Sequence, residues 1–414
     1  LIDPLPVRKR IHLPDALGAL RHRDFRLFWF GAMFSFIGSW VQMTGQQWLV
    51  LEITNSKQAL GLVTFLGSLP LFFLSPLGGW FADRCNKRVV LVVCSSIFAL
   101  SAFILSAAVF TGQVTFNLIA ALAFVNGIAA VIEIPTRQAM ISNIVAEEDI
   151  GNAIPLNAAT FNLARVIGPA IGGVLLATFG AGMCYLVNGI SFAAIILAVL
   201  AIRADLSSNS DRSASLRETL FEGIFHVAKS PAMRTLVMMM ATTALFGIFY
   251  ISFISALATN VLNLNAKGYS MLLTSTGVGA ITGVLTLAAL GKRPWKGLIP
   301  NVSMVALGAS LILLSFVQLQ WQAMIVLAMV GAFGIGQMVG TNTALQYFAP
   351  PELRGRIVAV HMWSLAGLNP LSALMFGWIS ERIGLPNSFL MGGAIVFVVG
   401  LAVLLFGRSV RELR

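Results

Sequence analysis

The feature that most restricts this chain is a series of charge-poor apolar runs, each about 20 residues or longer, joined by very short turns. Leu60–Phe81 is one run and Val89–Phe110 is the next, and between them lie only Ala82-Asp83-Arg84-Cys85-Asn86-Lys87-Arg88. A helix of that length crosses the hydrocarbon of a bilayer and satisfies its own backbone, which lipid cannot do for it. Spans are predicted at about 25–51, 59–81, 89–111, 115–140, 152–178, 182–203, 233–259, 269–290, 297–317, 321–347, 356–380 and 386–407. Composition removes the water-soluble alternative. With 57% apolar and 10% charged residues and a mean hydropathy of +0.87, a soluble fold would expose large apolar patches.

The longest connection, Ala204 to Ser230, holds Asp205, Asp211, Arg212 and several serines. Leu216, Leu220, Ile224 and Val227 then recur at helical spacing, which predicts a helix over Leu216–Ala228 on the membrane surface. This divides the chain into an N-terminal bundle with its lead (1–203), a linker (204–230) and a C-terminal bundle (231–414). The expected fold is all-α and polytopic, with twelve transmembrane helices in two pseudo-symmetric six-helix bundles. A weak repeat supports it: Ala146-Glu147-Glu148-Asp149-Ile150-Gly151 precedes a span with Gly168-Pro169, and Pro350-Pro351-Glu352-Leu353-Arg354-Gly355 precedes one with Asn369-Pro370. Gly291-Lys292-Arg293-Pro294-Trp295-Lys296 takes the place of the 82–88 turn in the second half, without its acid.

Charge sets the orientation. With both termini in the cytoplasm, about 23 of the 27 Lys and Arg fall on that side. Lys57, Lys267 and Arg382 fall outside and Arg165 is buried. The net charge of +11 is thereby assigned to topology and anionic lipid, not to nucleic acid. Trp48, Trp80, Trp321 and Trp378 fall at span ends as interfacial anchors. Asp15 is expected to cap a short amphipathic helix with Leu17, Leu20 and Phe25 on its apolar side. The basic lead runs into a full span, so no cleavable signal peptide is expected. Cys85, Cys94 and Cys184 have no metal-ligand spacing and suggest no disulfide.

Four groups of residues are candidates for mechanism. The first is the turn with Gly78, Gly79, Asp83, Arg84, Lys87 and Arg88. Its glycines allow close helix approach, its acid suits a helix N-terminus, and its bases hold the cytoplasmic side. The second is Asn162 to Gly173, where Pro169 bends the helix while Gly168, Gly172 and Gly173 make a flat packing face. The third is Glu133, Arg137 and Arg165, charges that lipid tolerates only inside the bundle. They are expected to form one network, with Glu133 nearer the cytoplasm than Arg165 and Asn126 or Asn162 as a bridge between them; in it Glu133 either takes up and releases a proton during the cycle or belongs to a structural salt bridge between two helices. The fourth is a set of polar and aromatic residues on apolar helices: Gln42, Gln46, Asn126, Asn162, Phe246, Phe249, Tyr250, Phe253, Gln337, Asn342, Gln346, His361 and Asn369. Each faces either a cavity or another helix.

No phosphate loop, His/Cys cluster or nucleophile–base pair is present, so no enzyme, cofactor, metal centre or ATP drive is expected. Met238-Met239-Met240 reads as apolar filler.

The turn pattern G-G-x-x-A-D-R-x-x-K-R resembles the loop motif of the major facilitator superfamily. Gly168-Pro169-x-x-Gly172-Gly173, preceded by Arg165, resembles the motif that exporters of that superfamily carry on the fifth span. Leu20-Arg21-His22-Arg23-Asp24-Phe25-Arg26-Leu27-Phe28-Trp29, Pro135-Thr136-Arg137-Gln138-Ala139, Asn162-Leu163-Ala164-Arg165 and Glu352-Leu353-Arg354-Gly355-Arg356 are together similar to the secretion-effector branch, which includes the exporter of the siderophore enterobactin. The resemblance implies a monomeric, multi-pass protein of the bacterial inner membrane. It would export a small organic solute (siderophore-like, drug-like or amphipathic) by alternating access against inward proton flow. It implies that the fifth-span motif seals the outer side and that spans one, four, seven and ten line the cavity. Asp83 and its basic neighbours would latch the cytoplasmic side near Glu352, Arg354 and Arg356. One departure bears on the proton: where many proton-coupled drug exporters carry Arg before a Gln-Gly-like pair, this chain has Ala123 before Asn126-Gly127. Other cargoes for the same architecture are a lipid or lysolipid and a divalent metal such as ferrous iron. A transporter-like scaffold or receptor is the remaining alternative.

Overall fold

Short polar side chains set where the helices begin. Ser56, Thr115 and Ser230 each accept a hydrogen bond from the backbone N–H three residues on, and Asn86 accepts from Arg88 and Val89. Gly180 (φ +77°) and Gly384 (φ +83°) each separate two helices by a single residue, in a backbone region that favours glycine. They stand at equivalent places in the two halves of the chain.

The computed structural model describes residues 15–206, 225–290, 298–350 and 353–406. Its helices are α1 (Arg23–Thr54), α2 (Lys57–Arg84), α3 (Lys87–Phe110), α4 (Phe116–Ile144), α5 (Glu147–Phe179) and α6 (Ala181–Ala201). The second six begin with α7, which comprises Pro231–Phe246, Tyr250–Ala256 and the π turn Leu257–Val261. They continue with α8 (Ala266–Leu290), α9 (Leu298–Leu314), α10 (Gln320–Phe348), α11 (Arg354–Ile383) and α12 (Leu385–Phe406). The protein is an all-α polytopic membrane protein. Among the described residues, nine helices carry an apolar window long and charge-poor enough to cross a bilayer. α9 is shorter, and Gln, Ser, Asn and charged residues interrupt α1 and α11. Phe73, Leu197 and Phe406 on helices and Phe316 in the turn after α9 are more than half exposed, apolar surface that lipid covers without cost.

The two sets of six pack in the same pairs: α2 on α4 as α8 on α10, α3 on α6 as α9 on α12, and α1 on α5 as α7 on α11. Lipid gives apolar helices no hydrophobic drive to associate, so close contact between backbones must do it. Gly31, Gly38 and Gly45, seven residues apart, put α1 against α6, and a Cβ on Gly38 would lie 2.2 Å from Ser191 Oγ. α1 and α6 are also tied at one end, where Asp24 accepts from the backbone N–H of Arg203 and Ala204 at 3.0 and 2.8 Å. That end, where α1 starts and α6 and α12 finish, is the near face; the opposite end is the far face.

The lead forms a short helix of 3-10 type, Asp15–Arg21, which packs on α5: Ala19 and Phe25 are buried, and His22 Nε2 lies 2.7 Å from Asp149 Oδ2. Two expectations need correction. The seventh span is not continuous. The N–H groups of Gly247 and Ile248 both donate to the Thr243 carbonyl, at 2.8 and 3.0 Å, so one turn widens and the helix restarts at Tyr250. Trp48 is not a lipid anchor, because its ring packs 5.8 Å from that of Tyr269 inside the bundle. Trp80, Trp321 and Trp378 are exposed. Most of the linker and of Leu216–Ala228 lies outside the described residues, as does the 291–296 loop; 225–229 is helical.

Candidate functional site

The seam between the first six helices and the second six is closed toward the far face. α5 is pressed between α1 and α8 by its own glycines. A Cβ on Gly168 would lie 2.3 Å from Trp40 Cβ, one on Gly172 would lie 3.1 Å from Thr44 Cβ, and one on Gly173 would lie 1.8 Å from Ser270 Cβ. Pro169 cannot continue the helix ladder, and its carbonyl accepts from Ser270 Oγ of α8 at 2.7 Å. Gly277 answers from α8, where a Cβ would sit 3.1 Å from the Arg165 carbonyl oxygen.

On the other side of the seam α2 meets α11. A Cβ on Gly61 would lie 2.3 Å from the Ala373 carbonyl oxygen, and the Lys57 N–H donates to Glu381 Oε2 at 3.0 Å with Lys57 Nζ 3.9 Å away. Two further bonds cross the seam: Tyr269 Oη to Gln47 Oε1 at 2.9 Å, and Thr64 Oγ1 to Ser252 Oγ at 3.4 Å. At mid-depth Phe72 stacks on Trp363, with centroids 5.5 Å apart. Among the described residues, none of these cross-seam contacts lies closer to the near face than that stack. Lys57 was read only as an outside base and Gln47 only as a neighbour of Gln46, and their partners Glu381 and Tyr269, like Phe72 and Trp363, were not singled out in the sequence. Opposite charges at two far-face helix ends were the only available signal.

Arg165 lies at the centre of the seam, about 27 Å along α5 from Glu147 at the helical rise. Its guanidinium is 5.8 Å from the ring centroid of Trp40, a cation–π contact. A narrow pocket of about 10 Å³, room for roughly one water, lies there between Trp40, Arg165 and Pro169 of the first six helices and Ile251, Ile254, Leu273, Thr276 and Gly277 of the second. Among the described residues no carboxylate pairs with Arg165.

The expected Glu133–Arg137–Arg165 network is therefore divided. Glu133 and Arg137, one turn apart on α4, form a tight buried pair in which Nε and Nη2 of Arg137 both reach Glu133 Oε1. Arg137 also lies over Phe36, 4.9 Å from its centroid. Neither Asn126 nor Asn162 bridges to Arg165. Asn126 Oδ1 is buried without a partner, and Asn162 donates back to the Ala158 carbonyl of its own helix at 2.9 Å.

The remaining cavity candidates separate by burial. Gln42 accepts from Asn188 Nδ2 of α6 at 2.6 Å, a tie inside the first six helices. Gln46 and Asn369 are half-buried, and Asn342 accepts from Gln346 Nε2 at 3.1 Å near the end of α10. Phe249 does not line an opening. It is fully buried, stacked 3.6 Å from Phe376 and 5.6 Å from Phe389. Phe253 and Tyr250 are buried with it, and Phe246 meets Phe376 at 6.3 Å. Gln337 and His361 are enclosed, with no partner for either amide atom or either ring nitrogen.

In the turn between α2 and α3 the two glycines differ. A Cβ on Gly78 would lie 2.0 Å from the Val131 carbonyl oxygen of α4, whereas one on Gly79 would meet nothing within 4 Å. Arg88 Nη2 donates to the Ile202 and Ala204 carbonyls, at 2.6 and 3.2 Å, and so completes the end of α6. The Lys87 N–H donates to the Leu206 carbonyl at 3.1 Å, and Arg84 lies 4.6 Å over Trp80. Glu352 and the side chains of Asp83, Arg354 and Arg356 lie outside what the structure describes.

Residues 15–412 match the transmembrane secretion effector family. The chain is 22% identical to the staphyloferrin A transporter of Staphylococcus aureus (strain NCTC 8325 / PS 47), over 93% of this chain and 97% of that one. It is 26% identical to the multidrug efflux pump Tap of Mycolicibacterium fortuitum, over 94% and 96%. In fold it is similar to the nucleoside transporter NupG (D323A mutant), with a TM-score of 0.75 and 14% identity over 92% of this chain and 98% of that one. It is also similar to a bacterial homologue of the lysosomal transporter Spinster in an inward-facing, occupied conformation, with a TM-score of 0.72 and 16% identity over 94% and 97%.

Proposed function

The chain belongs to the transmembrane secretion effector family of the major facilitator superfamily, and from that premise we propose that it is a secondary exporter of a small organic solute working by alternating access. The observation that carries this reading is the one-sided seam: among the described residues, the close contacts named above between the two sets of helices run from mid-depth to the far face. Two bundles joined in that way can rock about mid-depth, closing the near face as the far face parts.

On this reading the near face is cytoplasmic, the membrane is the bacterial inner membrane, and the structure is its inward-open state. The Gly168–Gly173 stretch is then the outer seal. Asp83 with Arg84, Lys87 and Arg88 forms the inner latch, engaging around Glu352, Arg354 and Arg356 when the far face opens. A monomer suffices, because both bundles come from one chain. The named relatives, a siderophore transporter and a multidrug pump, support an organic solute as cargo.

Inward proton flow is the proposed drive, with Glu133 as carrier and Arg137 as its partner. A buried carboxylate held by a guanidinium one turn away gives up that pair only at a cost of several kcal/mol, so rocking would have to separate them for a proton to exchange. The test is transport in proteoliposomes under an imposed pH gradient, against siderophores, drugs and lysolipids. Gradient-driven movement of at least one solute, with counterflow, is expected. Sealed, correctly oriented vesicles that move none of them would remove the transporter reading.

A further inference from the structure

Among the described residues, Arg165 is the only charged one lining the pocket between the two sets of helices. A cation at mid-depth costs at least about 2.5–3.5 kcal/mol in hydrocarbon; half-buried Arg165 keeps some hydration and draws the rest of its compensation from what faces it. The nearest acid in the sequence-derived network, Glu133, is already taken by Arg137 on the same helix. Among the described residues, Arg165 has no ion pair; it lies over the face of Trp40 and interacts electrostatically with the Tyr250 hydroxyl. The ring contact offsets part of the cost and leaves the edge of the guanidinium, with its planar fork of donors, free for another group.

The buried Tyr250 phenol of α7 lies near enough to interact electrostatically with Arg165, and the other walls facing it are apolar or already satisfied. Ile254 and Leu273 offer no acceptor, and Thr276 Oγ1 donates to the Leu272 carbonyl at 3.1 Å. The arrangement is a preformed positive site with an aromatic side wall, placed where both bundles contribute and half-buried so that solvent still reaches it.

We propose that Arg165 is the recognition point for an anionic head, in the first place a carboxylate, on the exported solute, with Trp40 packing against the solute's apolar body. This rests on the export reading and narrows its cargo to organic anions. The pocket takes roughly one water in this state. A carboxylate head is larger than that, so the facing walls of α7 and α8 must part from α5 to admit it, and the body extends toward the near face, away from the far-face contacts. Because α5 carries both Arg165 and the far-face glycines, an anion pulling on Arg165 acts on the helix that closes the seam.

The test is binding and counterflow with full-length protein, using 1-naphthoate, its neutral methyl ester and 1-naphthylmethylammonium as probes and lysophosphatidylglycerol as competitor. The expected order is naphthoate tighter than the ester and the ammonium weakest. Arg165→Gln should lose naphthoate affinity by about 10- to 100-fold, the worth of a charge-assisted bond, and leave the ester unchanged. Arg165→Lys should fall between, because it keeps the charge without the fork. Competition by the lysolipid that Arg165→Gln abolishes would support the anion site and give its source as a lipid headgroup.

Equal naphthoate binding by wild type and a folded Arg165→Gln, a preference for the ammonium, or no carboxylate binding at all would overturn the proposal. Counterflow of the ester or the ammonium under those results would leave the export reading standing. No counterflow of any probe would count against export itself.

Discussion

Gly173→Ala puts one methyl group into the tightest point of the seam. The new carbon would sit 1.8 Å from Ser270 Cβ and 1.9 Å from Ser270 Oγ. A Cβ moves only with its backbone, so no rotamer of Ser270 relieves the first contact. To reach an ordinary carbon–carbon separation of about 3.5–4 Å, α5 and α8 must part by roughly 1.7–2.2 Å. Overpacking of that kind costs about 1–3 kcal/mol, and losing the Ser270–Pro169 hydrogen bond adds about 1 kcal/mol. The closed far face is then disfavoured by about 2–4 kcal/mol, a shift of roughly 30- to 1,000-fold in the ratio of far-closed to far-open molecules. Spin labels at Thr178 and Lys267, both exposed at the far ends of α5 and α8, read this directly by double electron–electron resonance once Cys85, Cys94 and Cys184 are replaced. The distance distribution should lengthen in Gly173→Ala, and Ser270→Gly in the same chain should return it most of the way. An unchanged distribution in folded Gly173→Ala, or a double variant that stays open, would refute the argument.

Other outcomes follow from the same geometry. Gly78→Ala should lower the melting temperature in detergent, since its Cβ meets a backbone carbonyl oxygen at 2.0 Å, whereas Gly79→Ala should not change it; equal effects would contradict the packing of α2 on α4. Glu133→Gln leaves Arg137 buried and uncompensated, at about 3–5 kcal/mol, and Glu133→Gln with Arg137→Met should recover most of that in a thermal melt. If Glu133 also carries the proton, that folded double variant should still exchange solute in counterflow but no longer respond to a pH gradient; a normal response would remove the proton role. Tyr269→Phe removes one bond across the seam, so the labelled far-face pair should open by about fivefold in population, as expected for about 1 kcal/mol; no change would mean that Gln47 finds another donor.

The spans were legible in the sequence because hydrocarbon thickness and short turns fix them almost independently of packing. The break in α7 was not, since Gly247 is one glycine in an apolar run and nothing local marks the widened turn at Thr243. Depth could be counted for Arg165 and Glu133 along their helices, but azimuth could not. Helices that are apolar nearly all round carry little signal for which face looks inward. That is why Phe249, read as a cavity wall, is stacked between Phe376 and Phe389, and why Arg165 stands apart from the Glu133–Arg137 pair. The pair itself was visible as an i,i+4 spacing. The far-face seam depends on Ser270, Gly277, Tyr269 and Glu381, which acquire meaning only when placed opposite Gly173, Arg165, Gln47 and Lys57.

Alternating access is tested most directly by following both faces at once in lipid nanodiscs, with one spin-label pair at Thr178 and Lys267 and another at Asn143 and Thr343, near the near-face ends of α4 and α10. Addition of a transported solute or a change of pH should lengthen the first distance and shorten the second in the same proportion of molecules. Two faces that stay fixed, or that open and close together, would contradict it.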